Sequence, residues 1–193
     1  MKKNIKSLIA ISLFVMTSVN TVFAQTKEQK NIFGIMGGGT VSRISDYDGE
    51  TLFGLTGGLY WEYRLSQKFS LMSNILYSQR GEIGKDNLNG IKLSYINLPI
   101  MVKYGLTDNL GISTGINSDM LISVEAGDLT KDDFKGTDWG IPIGISYDIT
   151  NHLQVGFVYN IGLSNLLNDS DTNYQSNWAN LTIAYMFKKK KQF

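Results

Sequence analysis

The chain has no cysteine, two prolines and one histidine in 193 residues. Without cysteine no disulfide can staple an exported fold, and no lipid can be attached behind an export leader. Stability has to come from packing or from a closed hydrogen-bond ladder. The lone histidine, His152, has no second histidine to work with, and no Ser or Asp stands at a spacing that would make it a dyad or triad. No enzymatic chemistry and no cofactor is expected. Charge of one sign is also scarce. The whole chain carries 18 Lys and Arg against 17 Asp and Glu, so nothing argues for nucleic-acid binding. After residue 24 no apolar run approaches the ~18 residues of a membrane helix. If the chain crosses a membrane it does so as a closed barrel, because only helices and closed barrels satisfy their backbones in lipid.

The first 24 residues stand apart. Lys2, Lys3 and Lys6 open the chain, Leu8 to Val19 is mostly apolar, and Val22-Phe23-Ala24 offers small residues before a cut. This is the pattern of a secretory signal peptide with cleavage after Ala24, and its apolar run is too short for a spanning anchor. Residues 25–193 are expected to form one domain, with 15 basic and 17 acidic residues once the three leader lysines are gone.

What the domain has in abundance is alternation. In Thr51–Ser66, Phe53, Leu55, Leu59, Trp61, Tyr63 and Leu65 share one parity with Gly57. Gly54, Thr56, Gly58, Tyr60, Glu62 and Arg64 share the other. A period of two means a strand with one apolar and one polar face. The same pattern recurs in Asn31–Ile44, Lys68–Glu82, Ile91–Leu106, Asn109–Ile122, Gly136–Ile149, His152–Ser164 and Ser176–Lys188. Pro99 interrupts the fourth of these eight strands and predicts a bulge or one missing ladder bond. The strands run about 12–15 residues, against ~5–6 in soluble sheets. Their connections alternate: Ser66-Gln67, Thr107–Asn109 and Thr150-Asn151 are tight, while Ser45–Glu50, Ile83–Gly90, Ser123–Lys135 and Asn165–Gln175 are longer and hydrophilic. A soluble sandwich has no reason for that asymmetry. An outer-membrane barrel has short periplasmic turns and longer outer loops. The predicted fold is all-β: an eight-stranded antiparallel up-and-down transmembrane barrel, apolar face to lipid and polar face to the lumen.

Within that frame Glu62, Arg64, Lys103 and Asp148 point inward near the periplasmic end, and Arg80, Asp119 and Asp138 point inward near the outer end. A lumen only wide enough for side chains forces such charges to pair, so they read as two polar plugs rather than an ion pathway. The glycine run Gly37–Gly39 lacks a following Lys-Ser/Thr pair, and the alternation continues through it. Close strand packing explains it better than a phosphate loop. His152 reads as a solvated turn residue. The longer connections gather Asp46, Asp48, Glu50, Asp86, Glu125, Asp128, Asp132, Asp133, Asp169 and Asp171. Ser45–Thr51 and Asn168–Asn173 share part of a calcium-loop pattern, but neither has its full spacing and distal Glu. The plain reading is a hydrated surface, and divalent-ion contact with lipopolysaccharide phosphates is the weaker one. Trp61, Tyr63, Phe69, Tyr104, Tyr147, Tyr185 and Phe187 collect on the apolar side at one end, as an interfacial girdle does.

Phe33–Ser42 (FGIMGGGTVS), Leu76–Gly81 (LYSQRG), Tyr95–Tyr104 (YINLPIMVKY) and Leu181–Phe187 (LTIAYMF) carry a resemblance to the small outer-membrane β-barrel proteins of the Bacteroidetes type, in the broad OmpA/OmpX-like and "porin family" group. It covers Gln25–Phe193. Tyr185 and Phe187 are similar to the terminal signal that the barrel-assembly machinery reads, although Lys188–Phe193 extends past it and Phe193 offers a second terminal aromatic. The resemblance implies an eight-stranded barrel in the outer membrane, among lipid and lipopolysaccharide; it implies no single function. The expected function is a non-enzymatic, monomeric barrel with a structural or surface-interaction duty. The alternatives are a narrow channel for small solutes or ions, a soluble periplasmic lipocalin-like barrel for an apolar ligand, and an accessory part in protein secretion. Sidedness gives the first test. A single cysteine at Asp48 or Asp132 should react with an impermeant maleimide on intact cells and one at Gln67 or Asn151 should not; equal labelling would overturn the orientation.

Overall fold

A computed structural model describes residues 30–44, 49–84, 90–125, 127, 130–165 and 175–187. The leader with Ala24, the tail Lys188–Phe193, and Asp46, Asp48, Asp86, Asp128, Asp169 and Asp171 lie outside them. Each alternating run is a strand: β1 (Asn31–Ile44), β2 (Gly49–Arg64), β3 (Phe69–Gly84), β4 (Ile91–Gly105), β5 (Leu110–Glu125), β6 (Thr137–Asp148), β7 (Leu153–Gly162) and β8 (Ser176–Met186). A 3-10 turn at Lys131–Asp133 is the one helical element among the described residues. Every strand pairs antiparallel with its neighbours in sequence, and β1 pairs with β8 to close the barrel.

The register fixes the barrel's dimensions. Stepping from pair to pair, Gly54 leads to Thr40, Asn180, Val158, Gly144, Ser113, Lys103, Ser70 and then Arg64. The path returns to β2 ten residues away from its start, which is the shear of the barrel. Eight strands with this shear tilt by roughly 40° and enclose a lumen that side chains can fill.

The two faces are as the alternation predicts. Outward side chains are apolar and exposed; Leu59, Ile143 and Ile183 show 56%, 51% and 56% of their surface. Charged residues reach the outer face of the described strands only near the long-connection rim, at Arg43, Glu50, Lys92 and Glu125. A water-soluble protein does not expose an apolar band of this extent. It is also the reverse of the faces that a lipocalin-like barrel needs. Phe69, Tyr147, Tyr185 and Phe187 stand exposed near the short-turn end, while Trp61 and Tyr63 share their face but are buried, Trp61 Nε1 donating to Asn31 Oδ1 at 3.1 Å.

Local chemistry explains the three tight turns. Each begins with a hydroxyl that accepts backbone N–H groups two and three residues on: Ser66 from Lys68 and Phe69 at 3.3 and 3.1 Å, Thr107 from Asn109 and Leu110 at 3.4 and 3.0 Å, Thr150 from His152 and Leu153, both at 3.1 Å. The hydroxyl closes the turn as a backbone carbonyl would.

Strand ends differ from the sequence reading at the long-connection side. β3 continues to Gly84 and β5 to Glu125, whereas β7 stops at Gly162. The extension follows from cross-strand pairing: Lys92 faces Glu125 and the two side chains form an exposed ion pair at 3.6 Å. The wall from β2 to β5 is therefore taller than the wall from β6 to β8. At Pro99 the β3–β4 ladder is interrupted between Ser73–Ile100 and Leu76–Asn97, the missing bond expected there, while the β4 bulge falls at Ser94/Tyr95. A second register shift lies between Thr51 and Thr56, opposite Gly81. Gly81 has φ of 144°, a conformation that side chains disfavour, and its N–H donates to Ser42 Oγ at 2.8 Å.

Inward glycines permit the coiling. A Cβ on Gly38 would run into the carbonyl oxygen of Leu181 on β8, whereas one on Gly39 would meet only the Gly54 carbonyl at 3.9 Å. Gly38→Ala should therefore destabilise the barrel by about 1–3 kcal/mol through backbone displacement, and Gly39→Ala should stay within about 0.5 kcal/mol. Urea unfolding in lipid vesicles followed by tryptophan fluorescence reads both; equal effects would contradict the register.

Candidate functional site: the lumen

Among the described residues the lumen is the one place where charge is buried, and it is buried there in two layers. In the layer near the short turns, β2 and β4 point Glu62 and Lys103 at each other, Nζ 3.6 Å from Oε2, with both side chains buried. Tyr60, two residues along β2 on the same face, donates its hydroxyl proton to that Oε2 as well. Asp148 at the end of β6 accepts from Gln154 Nε2 at 2.6 Å. Arg64 lies half-buried at this end. Lys103 comes from another strand and faces Glu62 across the lumen.

The second layer sits toward the long connections. Arg80 on β3 reaches Asp119 on β5, Nη1 to Oδ2 at 2.5 Å, each side chain 1% exposed. Asn97 on β4 donates to the other carboxylate oxygen of Asp119. The Arg80 guanidinium lies 4.0 Å from the centre of the Trp178 ring and 5.2 Å from that of Tyr95, which adds cation–π attraction to the buried charge. Asp138 on β6 accepts from Ser164 Oγ beside it. The pairs connect strands two apart, so each spans part of the lumen rather than lying along the wall.

Further inward residues are apolar. Tyr60, Met72, Met101 and Met186 pack with Ile32 into an apolar cluster beside the Glu62–Lys103 pair. Trp178 shares the parity of Asn180 and Thr182, so its inward direction was legible from alternation. Phe134 was not. It belongs to the β5–β6 connection, yet packs into a buried cluster with Ile91, Leu93, Tyr95 and Leu121 on the inner side of the tall wall. Asp133 accepts from Thr130 N–H at 2.7 Å, and Lys131 Nζ donates to the Ile122 carbonyl at 3.3 Å, fixing that segment over the mouth. His152 serves structure: Nδ1 donates to the Met186 carbonyl at 2.9 Å, and its ring stacks at 6.0 Å on Tyr185. Tyr185 and Phe187 project outward from the end of β8.

A closed barrel with an apolar outside and a paired, polar inside is a membrane-spanning barrel. Residues 23–168 match the family described as outer membrane protein beta-barrel domain, and the chain belongs to that family. No curated protein matches the chain. Among solved structures it is similar to Ail, the attachment invasion locus protein of Yersinia pestis, in complex with the heparin analogue sucrose octasulfate, at 13% identity and a TM-score of 0.52, covering 82% of this chain and 100% of that one. It is also similar to Neisserial surface protein A, at 17% identity and a TM-score of 0.51, covering 82% and 98%. At these identities the likeness is one of fold.

The Arg80–Asp119 pair gives a direct test. Asp119→Ala leaves a buried guanidinium without its carboxylate and should cost about 3–5 kcal/mol. Asp119→Leu combined with Arg80→Met should recover a large part of that loss in the same vesicle unfolding assay. Equal stability of all three proteins would mean that the layer is solvated.

Proposed function

We propose that the chain is a non-enzymatic, monomeric outer-membrane barrel whose lumen is shut and whose duty is structural or lies in surface contact through its longer connections. The observation that carries this reading is the pair of charged layers, Glu62–Lys103 and Arg80–Asp119, each joining different strands across a narrow lumen. Ion pairs this buried hold in place, because parting them strands a charge in a poorly hydrated space. On this reading the apolar belt meets lipid and lipopolysaccharide, the short turns face the periplasm, and the barrel-assembly machinery reads the outward Tyr185 and Phe187 at the end of β8. The leader ending at Ala24 directs export.

The surface differs in sign from one suited to a sulfated ligand such as the one bound to Ail. The four longer connections carry Asp46, Asp48, Asp86, Asp128, Asp132, Asp133, Asp169 and Asp171 against Lys85, Lys131 and Lys135. Like charges repel, so a partner of these connections is cationic or is bridged through divalent ions.

Conductance separates this reading from the narrow channel. The full chain in planar bilayers should give no sustained unitary current steps. Steady ohmic steps in most insertions would replace the shut barrel with a pore, and the accessory secretion role would then need a different argument as well.

A further inference from the structure

Between its two charged layers the lumen carries polar atoms that no group among the described residues answers. Because the ladder climbs ten residues over eight strands, about one and a quarter per strand, the register brings Thr40, Asn97, Asn117, Asn160 and Asn180 to one level. Their side chains come from β1, β4, β5, β7 and β8 and are 0–3% exposed. Thr40 Oγ1, Asn97 Oδ1, Asn160 Oδ1, Asn180 Oδ1 and both polar atoms of the Asn117 amide find no partner among the described residues. Each buried orphan carries the full penalty of lost hydration, and six of them would offset much of the marginal stability of a domain.

There is also room beside them. Gly38, Gly58 and Gly115 lie just below this level on the inward parity, and each must be glycine because a Cβ would strike the neighbouring strand's backbone. The coiling that demands glycine thus leaves the lumen without side chains there. Met36 and Val158 point inward in a closed barrel and yet are only half-buried, so an internal space adjoins them. Above lie Arg80, Asp119 and Trp178, capped in turn by Phe134. Below lie Tyr60, Met72, Met101 and Met186.

We propose that this ring of amides is a binding site for a cluster of ordered water, sealed between the two charged layers. The occupant has to donate to the four lone oxygens and both donate to and accept from Asn117. Water does both. A bare cation would satisfy the oxygens but not Asn117 Nδ2, and it would sit beneath the Arg80 guanidinium. The water is a fixed part of the interior, not a stream through it, since each end is closed by paired or apolar side chains.

The test uses the full chain, uniformly labelled with nitrogen-15, in lipid vesicles and water-edited magic-angle-spinning NMR. The Asn117 and Asn160 amides should take up water magnetisation several-fold faster than the lipid-facing backbone amides of Ile143 and Ile183. Asn117→Leu together with Asn160→Leu should abolish that transfer at Asn180; if the double variant fails to assemble, Asn117→Ala should reduce it. Transfer no faster than at Ile143 would show amides paired with one another in a dry lumen and would overturn the proposal. Water at the ring exchanging as fast as bulk solvent would overturn it too, because the chamber would then be open.

Discussion

The constraint on which the rest depends is the closure of the backbone ladder. In hydrocarbon an unpaired N–H or C=O has no substitute partner, so the sheet must end where it begins. Here β1 meets β8, and the circuit closes with a shear of ten. From that follow the tilt, the narrow bore and the tight coil of the wall. The narrow bore forces Arg80 onto Asp119 and Lys103 onto Glu62. The tight coil forces glycine at Gly38, where the next strand's backbone occupies the place of a side chain. One geometric decision therefore selects residues on both sides of the wall that share no contact.

Most of this was written in local order along the chain. Alternation in Thr51–Ser66 is a statement about neighbours two apart, and the structure keeps its faces through Tyr60, Glu62 and Arg64. The inward direction of the seven charged residues singled out from the sequence followed from the same parity. What local order does not carry is the relation between strands. That Glu62 meets Lys103 depends on register around the barrel. So does the extension of β5 to Glu125, which is held by Lys92 on another strand. Phe134 lies in a hydrophilic connection, and only the cluster around Leu93 and Leu121 gives it an inward place. The leader and the calcium-like connections rest on sequence alone.

The barrel also separates its tasks by position. The outer surface is nearly uniform in chemistry, because lipid asks only for apolar side chains. The lumen is specific, because every buried polar group needs a named partner. The connections are free of both demands. Chains as different as this one and Ail can hold the same architecture at 13% identity. Function in such a fold is a property of what is attached to the scaffold.

The uneven wall has a consequence of its own. β2, β3 and β5 have 16 residues and β4 has 15, whereas β7 and β8 have 10 and 11. At ~3.3 Å per residue along tilted strands, one half of the rim stands roughly 10 Å above the other. The molecule thus has a front and a back within the plane of the membrane. Something approaching from the side of β7 meets a short stretch of sheet, and from the side of β3 it meets a tall one. Two such barrels drifting past each other are not interchangeable cylinders: what either one meets depends on the compass direction from which it comes.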